Sequence, residues 1–487
     1  MQTYEELLAE NAALKCRVAE VESENAALRA RLAEIEARLG MNSRNSSKPP
    51  SSDPPNVAAR PKKKPSGRKR GGQPGHKGTT RPLLPPGKVD KIIELKPEKC
   101  GRCGRALAGR DPKPRRRQVI DVPPVKPVVT EYRRHTLPCG DCGARTTAPL
   151  PPGVTESVFS PRIKAMLAMC SAVYRLSRRT VEGLMADFFN VDISLGSVSA
   201  CEGTVSEAVA APVAEARAHV EKAPVAHVDE TGYRQAFQAD ETPPTGEAPA
   251  KSKMWLWTAV TPFVTVFMVH ARRSAAAAKE LLGSFPGILV SDRWSAYSFI
   301  DAARRQLCWA HLLRDFEWIA EFGAEALGKA LVDETKRMFR WWHTLRAGGS
   351  TRSGFQERMR PLEARVEALL EEGAACDHRK TAGKCRRMLG LKGAFWTFVR
   401  IEGVEPTNNA AERALRPAVL WRKGSFGSAS ERGSRFAERI MTVAATCRQQ
   451  GRGVLEYLAA ACEAHARGGP APSLLPQAAD ERLGAAA

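Results

Sequence analysis

The sequence predicts a multidomain α/β protein, and three observations support that prediction. The chain has 487 residues, enough for two to four folded units at about 100 to 200 residues each. Hydrophobic residues make up 43% and charged residues 26%, close to globular averages, so most of the chain can bury a core. The first forty residues follow a heptad pattern, whereas short apolar runs and one helical segment alternate after Ala223.

Residues 1–40 are predicted to form a coiled coil. Two rows of residues recur at seven-residue spacing, as the a and d positions of about five heptads do. The a row is Tyr4, Asn11, Val18, Asn25, Leu32 and Leu39, and the d row is Leu7, Leu14, Val21, Leu28 and Ile35. A buried Asn at position a favours a parallel dimer in register, so we expect a homodimer or higher oligomer. The alternative is a single amphipathic helix packed on the rest of the chain.

Residues 41–88 are predicted to be a disordered basic linker. Between Arg60 and Pro82 there are nine Lys or Arg residues and no acid, and the whole chain has a formal net charge of +22. Such an arm suits a DNA backbone, because each neutralised phosphate releases condensed counterions. The residues predicted to bind DNA here are Lys62, Lys63, Lys64, Arg68, Lys69 and Arg70. A solubilising spacer is the alternative.

Residues 89–155 are predicted to form a zinc-ribbon domain with four Cys ligands. Cys100, Cys103, Cys139 and Cys142 form two C-x-x-C pairs, each with Gly after both Cys residues. Four thiolates suit one structural Zn²⁺ in closed tetrahedral coordination, which leaves no position for water. A redox dithiol is the competing interpretation.

The residues between the two Cys pairs are predicted to pair as an antiparallel ribbon, residues 118–124 with 128–136. The same loop is basic, and Arg115, Arg116 and Arg117 are predicted to contact DNA.

Residues 156–222 are predicted to be a helical domain. Apolar residues recur at helical spacing, and the stretch from Leu176 to Cys201 resembles a helix-turn-helix. The first helix is predicted at about 179–189, the turn at 190–194 and the second helix from Gly196. Bundles that bind nothing share this pattern, so DNA binding here stays one of two alternatives.

Residues 223–445 are predicted to form the chemical domain, with the strand order of an α/β sheet. Two apolar runs end in Asp229 and Asp292, and strands that end there would project both carboxylates from one edge. Adjacent strand residues face opposite sides, so either Asp229 or Glu230 can enter such a site, not both. Glu412 is a candidate third acid, although its spacing from Asn409 also fits a helix cap. Each Asp alone also fits a turn or cap residue.

Five motifs in this order resemble transposases of the insertion-sequence sixty-six family. They are HVDETGYR, SDRWSAY, CWAHLLRDF, TNNAAERALRP and RKGSFGSASERGSRFAERIMT. The resemblance extends to the heptads, the NSRNSSKPPSSD segment and the double C-x-x-C, and so covers nearly the whole chain. It implies a DDE transposase with an RNase H-like mixed sheet and a helical insertion at about 305–400.

The same resemblance implies that Asp229, Asp292 and Glu412 are the catalytic acids, and it selects Asp229 over Glu230. Carboxylate oxygens suit two Mg²⁺ or Mn²⁺ ions, which would support nicking of element ends and joining of 3′ ends to target DNA. Near the third acid, Arg413, Arg416, Arg422 and Lys423 are candidate phosphate contacts. His311, in the third motif, is interpreted as a core histidine and not as a catalytic residue. Residues 446–487 are assigned to a C-terminal helix and tail.

The function predicted is therefore DNA transposition, with DNA ends and target DNA as partners. The alternative is a non-catalytic, zinc-containing DNA-binding protein derived from a transposase. The resemblance also implies smaller accessory proteins encoded by the same element. No apolar run reaches the ~18 residues of a membrane helix, and the N-terminus lacks the pattern of a secretory signal. We expect a cytoplasmic, nucleoid-associated protein.

Overall fold

The computed structural model describes residues 4–46, 53, 75–76, 78, 81–236, 252–425 and 427–476. The chain divides into two compact units, one made of Met1–Pro55 and Val128–Ala487 and the other of Asn56–Pro127. Six residues predicted to bind DNA lie outside the described residues, namely Lys62, Lys63, Lys64, Arg68, Lys69 and Arg70.

The smaller unit has little regular structure in its described part. It contains one 3-10 turn at Pro86–Lys88 and an isolated antiparallel bridge between Lys99 and Ala106. The ribbon predicted from residues 118–124 and 128–136 is wrong, since the chain has no strand between Ala106 and Thr136. Prolines at 123, 124 and 127 remove backbone donors from this stretch. Its valines bury no face either, as the 84% exposure of Val119 shows.

In the larger unit, a long helix precedes a small ribbon. Helix α1 spans Tyr4–Leu39, and strands β1 (Thr136–Pro138) and β2 (Arg145–Thr147) pair in antiparallel fashion. The apolar stripe of α1 is exposed, with Leu28 at 64% and Leu32 at 58%. From Asn11 to Leu39, the helix therefore leaves its heptad rows uncovered by the described part of the chain.

The residues after α1 form an ordered turn, although they belong to the predicted linker. The Asn42 N–H donates to Asn45 Oδ1 at 2.8 Å, and the Asn45 side chain donates to Glu321 Oε2 at 2.5 Å. Both Asn side chains are buried. This part of the NSRNSS motif is thus a packed turn.

Four helices lie between the small ribbon and the main sheet. They are α2 (Pro161–Ala168, continued by a π turn at Met169–Val173), α3 (Arg178–Phe189), α4 (Leu195–Ala208) and α5 (Ala210–Val220). The helix-turn-helix pattern predicts α3 and α4 to within one residue. Asn190 ends α3 in the left-handed region at φ 53°, and the Ser194 side chain accepts the Ser197 N–H to cap α4.

The main sheet has five strands in the order β5-β4-β3-β6-β7. Its members are β3 (Val225–Gln235), β4 (Ser252–Val260), β5 (Thr265–His270), β6 (Ile288–Ser291) and β7 (Arg305–Leu307), with α6 (Ala275–Leu282) between β5 and β6. Strands β3, β4 and β5 pair antiparallel, whereas β6 pairs parallel with both β3 and β7. The mixed sheet confirms a multidomain α/β protein.

Five helices connect β7 to the next helix of the sheet domain. They are α7 (Trp309–Phe322), α8 (Glu325–Arg346), α9 (Arg352–Ala375), α10 (Arg379–Leu389) and α11 (Thr397–Arg400). Their apolar faces share a core that includes Trp309, Phe316 and Phe398, all fully buried. This core makes the connection a folded body of its own.

Three helices complete the described chain, namely α12 (Asn409–Ser425), α13 (Glu431–Gln449) and α14 (Val454–Ala466). Helix α13 covers the edge strand β5. Side chains one turn apart accept its backbone N–H groups: Glu438 from Val269, Thr442 from Phe267 and Thr446 from Thr265, at 2.8 to 3.1 Å. The edge is thereby closed to further strand pairing. No helix in the described part of the chain has both the length and the apolarity to cross a bilayer.

Candidate active site

Asp229 lies within β3 and not at its end, so the prediction that this strand ends there is wrong. The strand continues to Gln235 because it pairs with β4 as far as Ser252. On its other side, β3 pairs parallel with β6 only up to His227, opposite Val290. If the same register is continued by two residues, Asp229 faces Asp292, the first residue after β6.

The environment of Asp229 is unfavourable for an isolated carboxylate. Burial raises its pKa well above the usual value, and the charges of Glu230, Asp292 and Glu412 raise it further. One contact acts in the opposite direction, since the Glu230 N–H donates to Asp229 Oδ1 at 2.9 Å. Three acids distant in sequence therefore lie close enough for their charges to interact.

Glu230 differs from Asp229 because both of its carboxylate oxygens contact other side chains of the protein. The Tyr297 hydroxyl donates to Oε2 at 2.6 Å, and an Arg273 nitrogen lies 2.6 Å from Oε1. Burial raises the pKa of Glu230, while these two partners lower it. The Arg273 guanidinium also stacks 4.1 Å from the ring centroid of Trp294. Glu230 thus binds its own protein, and Asp229 is the acid left for a ligand.

Asp292 is held in a tight turn after β6. Its Oδ1 accepts the Trp294 N–H at 2.9 Å, an Asx turn of the kind that short polar side chains favour. The buried Arg305 on β7 donates to the Asp292 carbonyl at 3.2 Å. These bonds fix the backbone and leave the second carboxylate oxygen of Asp292 available.

Glu412 reaches the site from the first turn of α12. The residue that precedes this helix is Asn408, whose carbonyl accepts the Glu412 N–H at 3.1 Å. The Asn409 cap expected from the sequence is therefore off by one residue. Asn408 also donates its side-chain amide to the Val228 carbonyl at 2.8 Å and its backbone N–H to Cys308 Sγ at 3.2 Å. The start of α12 is tied in this way to the strand that carries Asp229.

His311 lies next to Glu412, with Nε2 at 4.0 Å from Glu412 Oε1. Burial lowers the pKa of His311, and the carboxylates of Asp292 and Glu412 raise it. Within the described residues, neither His311 Nδ1 nor Glu412 Oε1 has a hydrogen-bond partner, although both atoms are buried. The prediction of a core histidine with satisfied hydrogen bonds is wrong. The only sequence signal for this residue is the CWAH motif itself.

The ligand atoms of the three acids are further apart than the ligands of a single metal ion would be. One ligand atom each from Cys308, His311 and Glu412 forms a set within 4.8 Å, whereas the three acids do not form such a set in the described chain. Two ions about 3.5 to 4 Å apart need outer ligands that are further apart than those of one ion. The oxygen donors and the unpartnered Glu412 Oε1 fit a pair of hard divalent cations.

The basic residues near Glu412 divide into two groups. Arg413, Arg416 and Lys423 are exposed on α12. Arg422 instead donates to the Gly232 carbonyl at 2.5 Å and to Thr231 Oγ1 at 3.3 Å, so it holds α12 against β3. Three of the four residues are thus free of the sheet and open to a ligand.

The two C-x-x-C pairs have the same local fold, each within its own unit. The Cys100 N–H donates to Arg105 O at 2.8 Å and the Gly104 N–H to Cys100 O at 3.0 Å, with φ 73° at Gly104. The second pair repeats these bonds from Cys139 and Gly143, at 2.8 and 3.0 Å with φ 70°.

Each knuckle directs backbone donors at its first thiolate. Backbone N–H groups of Cys103 and Arg102 lower the pKa of Cys100, and those of Cys142 and Asp141 lower the pKa of Cys139. Such thiolates suit a metal. In the loop between the pairs, Arg115, Arg116 and Arg117 are exposed, and Arg116 donates to the Leu84 carbonyl at 2.7 Å.

The sheet thus brings the charges of Asp229 and Asp292 close together, and two C-x-x-C knuckles of the type that binds zinc accompany it, which is the pattern of a metal-binding α/β protein. Residues 156–436 match a family model described as "Transposase IS66 family". The chain therefore belongs to the IS66 family of transposases. Residues 97–143 match the "zinc-finger binding domain of transposase IS66", and residues 1–82 match a family of unknown function.

Two curated relatives come from Sinorhizobium fredii, and both are named as uncharacterized proteins. The first, y4qI, is 28% identical over 265 residues, which cover 48% of this chain and 49% of that protein. The second, y4hP, is 25% identical over 401 residues, which cover 74% of this chain and 69% of that protein. The chain thus spans about half the length of the first relative.

Proposed function

We propose that this protein is a DDE transposase that cleaves the ends of its element and joins the 3′ ends to target DNA. The observation that supports this function most strongly is the position of Asp229. Its carboxylate is buried among the charges of Glu230, Asp292 and Glu412, and burial and these charges raise its pKa. A carboxylate surrounded by other acids is costly to ionise unless cations bind there, and clusters of this kind mark functional sites.

An RNase H-like core is part of the same proposal. The antiparallel strands β3, β4 and β5 and the parallel strands β6 and β7 form one mixed sheet, with Asp229 on β3 and Asp292 directly after the neighbouring strand β6. The third acid comes from α12, after the five-helix connection. This arrangement supports one catalytic core, made of the sheet and α12, into which the five-helix connection is inserted.

In the mechanism, Asp229, Asp292 and Glu412 would hold two Mg²⁺ or Mn²⁺ ions. When bound, such ions activate the attacking oxygen and stabilise the leaving one. The protein supplies position: Glu230, Arg273 and Tyr297 lock the strand, and the Asp292 turn is fixed by Trp294. Exposed Arg416 and Lys423 would contact DNA phosphates beside the site. No covalent intermediate with the protein is needed.

The remaining modules would assemble the complex on DNA. The exposed heptad stripe of α1 supports a coiled-coil dimer or higher oligomer. Cys100, Cys103, Cys139 and Cys142 remain the expected ligands of structural Zn²⁺, since backbone donors in each knuckle favour the thiolate of its first Cys. Arg115, Arg116, Arg117 and the basic segment from Arg60 to Pro82 would add DNA affinity with little sequence preference. Accessory proteins of the same element remain expected partners.

The test uses the full-length protein, Mg²⁺, a DNA fragment with the genomic segments that flank the coding sequence, and a target plasmid. The wild type should nick the ends and yield joined products. Asp292→Asn should bind the ends with wild-type affinity and yield neither product, while Asp301→Asn, an exposed cap residue, should behave like the wild type.

Two results distinguish the alternatives. Activity of Asp292→Asn equal to that of the wild type would overturn the assignment of the acids. DNA binding without any cleavage by the wild type would instead support the non-catalytic DNA-binding protein.

A further inference from the structure

We propose that His311 is a further catalytic residue, which donates a hydrogen bond from Nε2 to a non-bridging oxygen of the scissile phosphate. This inference rests on the proposed function and deepens it. It adds to the three acids a neutral donor that contacts the substrate.

The fold fixes the position of His311 next to Glu412. His311 lies in the first turn of α7, which begins right after Cys308, and its backbone N–H bonds to the Cys308 carbonyl at 3.0 Å. The Asn408 N–H bonds to the Cys308 sulfur, so the turn that carries His311 and the start of α12 are joined. The imidazole is therefore fixed beside Glu412 by backbone contacts on both elements.

A gap separates the His311 ring from the Glu412 carboxylate. Their closest nitrogen and oxygen atoms are 4.0 Å apart, which is too far for a hydrogen bond. The two side chains are 18% and 34% exposed, so each of them reaches the surface beside this gap. Asp292 is also close enough for its charge to act on His311. A phosphate bound between the second and third acids would come next to this ring.

The His311 ring has hydrogen-bonding capacity that its surroundings leave unsatisfied. His311 Nδ1 is buried without a partner among the described residues. A buried lone pair is tolerated more readily than a buried unpaired N–H, which favours the tautomer with the proton on Nε2. That tautomer places the N–H donor on the nitrogen that faces Glu412. A donor aimed at charge that builds up in the transition state is a strong form of catalysis.

Two other roles for His311 make different predictions. As a ligand of a softer metal, it would act together with Cys308 and Glu412, whose ligand atoms lie within 4.8 Å of its own. As a packing residue, it would affect folding and DNA binding together. Neither role requires contact with the scissile phosphate.

The experiment measures single-turnover nicking of end DNA in which sulfur replaces either non-bridging oxygen of the scissile phosphate. His311→Ala should lower the nicking rate of normal DNA about 10²- to 10³-fold, the range for removal of one such donor. His311→Gln should recover part of this loss, since an amide can donate at a similar position. With one of the two sulfur diastereomers, the loss caused by His311→Ala should shrink, because the variant and the sulfur remove the same hydrogen bond.

Three further measurements exclude the other roles. His311→Ala should keep the wild-type thermal midpoint, the wild-type end-DNA affinity in Ca²⁺, and the wild-type Mn²⁺ stoichiometry in calorimetry. The matched control is His465→Ala, an exposed histidine in the last turn of α14, which should nick at the wild-type rate.

The inference fails if the effects of His311→Ala and of sulfur are fully additive for both diastereomers, or if the variant loses bound Mn²⁺. An active wild type and inactive Asp292→Asn, together with a fully active His311→Ala, would overturn this inference alone. A wild type that cannot nick end DNA would overturn the proposed function itself.

Discussion

The side-chain amide of Asn408 donates a hydrogen bond to the carbonyl of Val228 at 2.8 Å, and so ties the first turn of α12 to the strand beside Asp229. Asn408 is 1% exposed, so no water can replace this bond. Two segments separated by the whole helical connection are thereby held in a fixed relation. This bond is what places Glu412 near the other two acids.

Removal of this amide should cost both stability and activity. Asn408→Ala leaves the buried Val228 carbonyl without that donor, which we expect to lower the free energy of unfolding by about 1 to 3 kcal/mol. Urea denaturation measures this cost. The neighbouring Asn409 is exposed, so Asn409→Ala is the matched control and should change little. Equal effects of the two variants would contradict the role given to Asn408.

Asp229 and Glu230 should respond differently to loss of charge. Asp229→Asn removes a buried acid that has no cationic partner in the described chain, so the metal-free variant should unfold at a higher temperature than the wild type. Glu230→Gln weakens the contacts with Arg273 and Tyr297 and should lower that temperature. Thermal unfolding in EDTA gives both shifts. Destabilisation by Asp229→Asn would show that its carboxylate serves the fold.

Divalent metal should raise the unfolding temperature of the wild type more than that of Asp229→Asn, and so act against the order expected in EDTA. Mg²⁺ that binds only the folded state raises the unfolding temperature in proportion to the logarithm of its concentration. We expect this rise in the wild type and little of it in Asp229→Asn. Differential scanning fluorimetry across a Mg²⁺ series, with Ca²⁺ in parallel, measures it. A rise of the same size in both proteins would place the bound ion elsewhere.

The cysteines should fall into two reactivity classes. Backbone donors lower the pKa of Cys100 and Cys139, whereas burial raises the pKa of Cys385 and Cys447 to about 11. Because the thiolate is the reactive form, a thiol reagent at pH 7.5 should label Cys100 and Cys139 before Cys385 and Cys447, and only after zinc is removed by a chelator. Mass spectrometry of timed samples reads the order. Labelling of Cys385 before Cys100 in the folded protein would contradict the assignment.

The exposed stripe of α1 should mediate self-association. Leu28→Glu puts a charge into a d position of the heptad, and we expect the oligomer to dissociate. Sedimentation velocity compares this variant with Glu22→Gln, which lies outside both heptad rows. An unchanged oligomer in Leu28→Glu would show that the heptads do not form the interface.

Sequence patterns predicted the elements better than the contacts between them. The two apolar runs before Asp229 and Asp292 predicted strands with carboxylates at one edge of a sheet, but not that β3 continues past Asp229, because pairing with β4 is a tertiary effect. Alternation alone could not choose between Asp229 and Glu230. The structure gives a physical reason for the choice, because Arg273, distant in sequence, contacts the Glu230 carboxylate.

His311 and Asn408 show the same limit. Local spacing favoured a buried core role for a lone histidine and a cap role for Asn409, and both rules consider only neighbours in sequence. The bond from Asn408 to Val228 and the gap between His311 and Glu412 arise when α7 and α12 meet at the sheet. The ribbon predicted between the Cys pairs failed for a related reason, since alternation predicts a strand only where one face is buried.

Asp229, Asp292 and Glu412 are proposed to share a pair of divalent ions. Anomalous scattering from Mn²⁺ in crystals of the protein bound to end DNA locates such ions directly. We predict two Mn²⁺ peaks about 3.5 to 4 Å apart, each within coordination distance of at least one of the three acids. Mn²⁺ found only at Cys308, His311 and Glu412, with none at Asp229, would contradict the account.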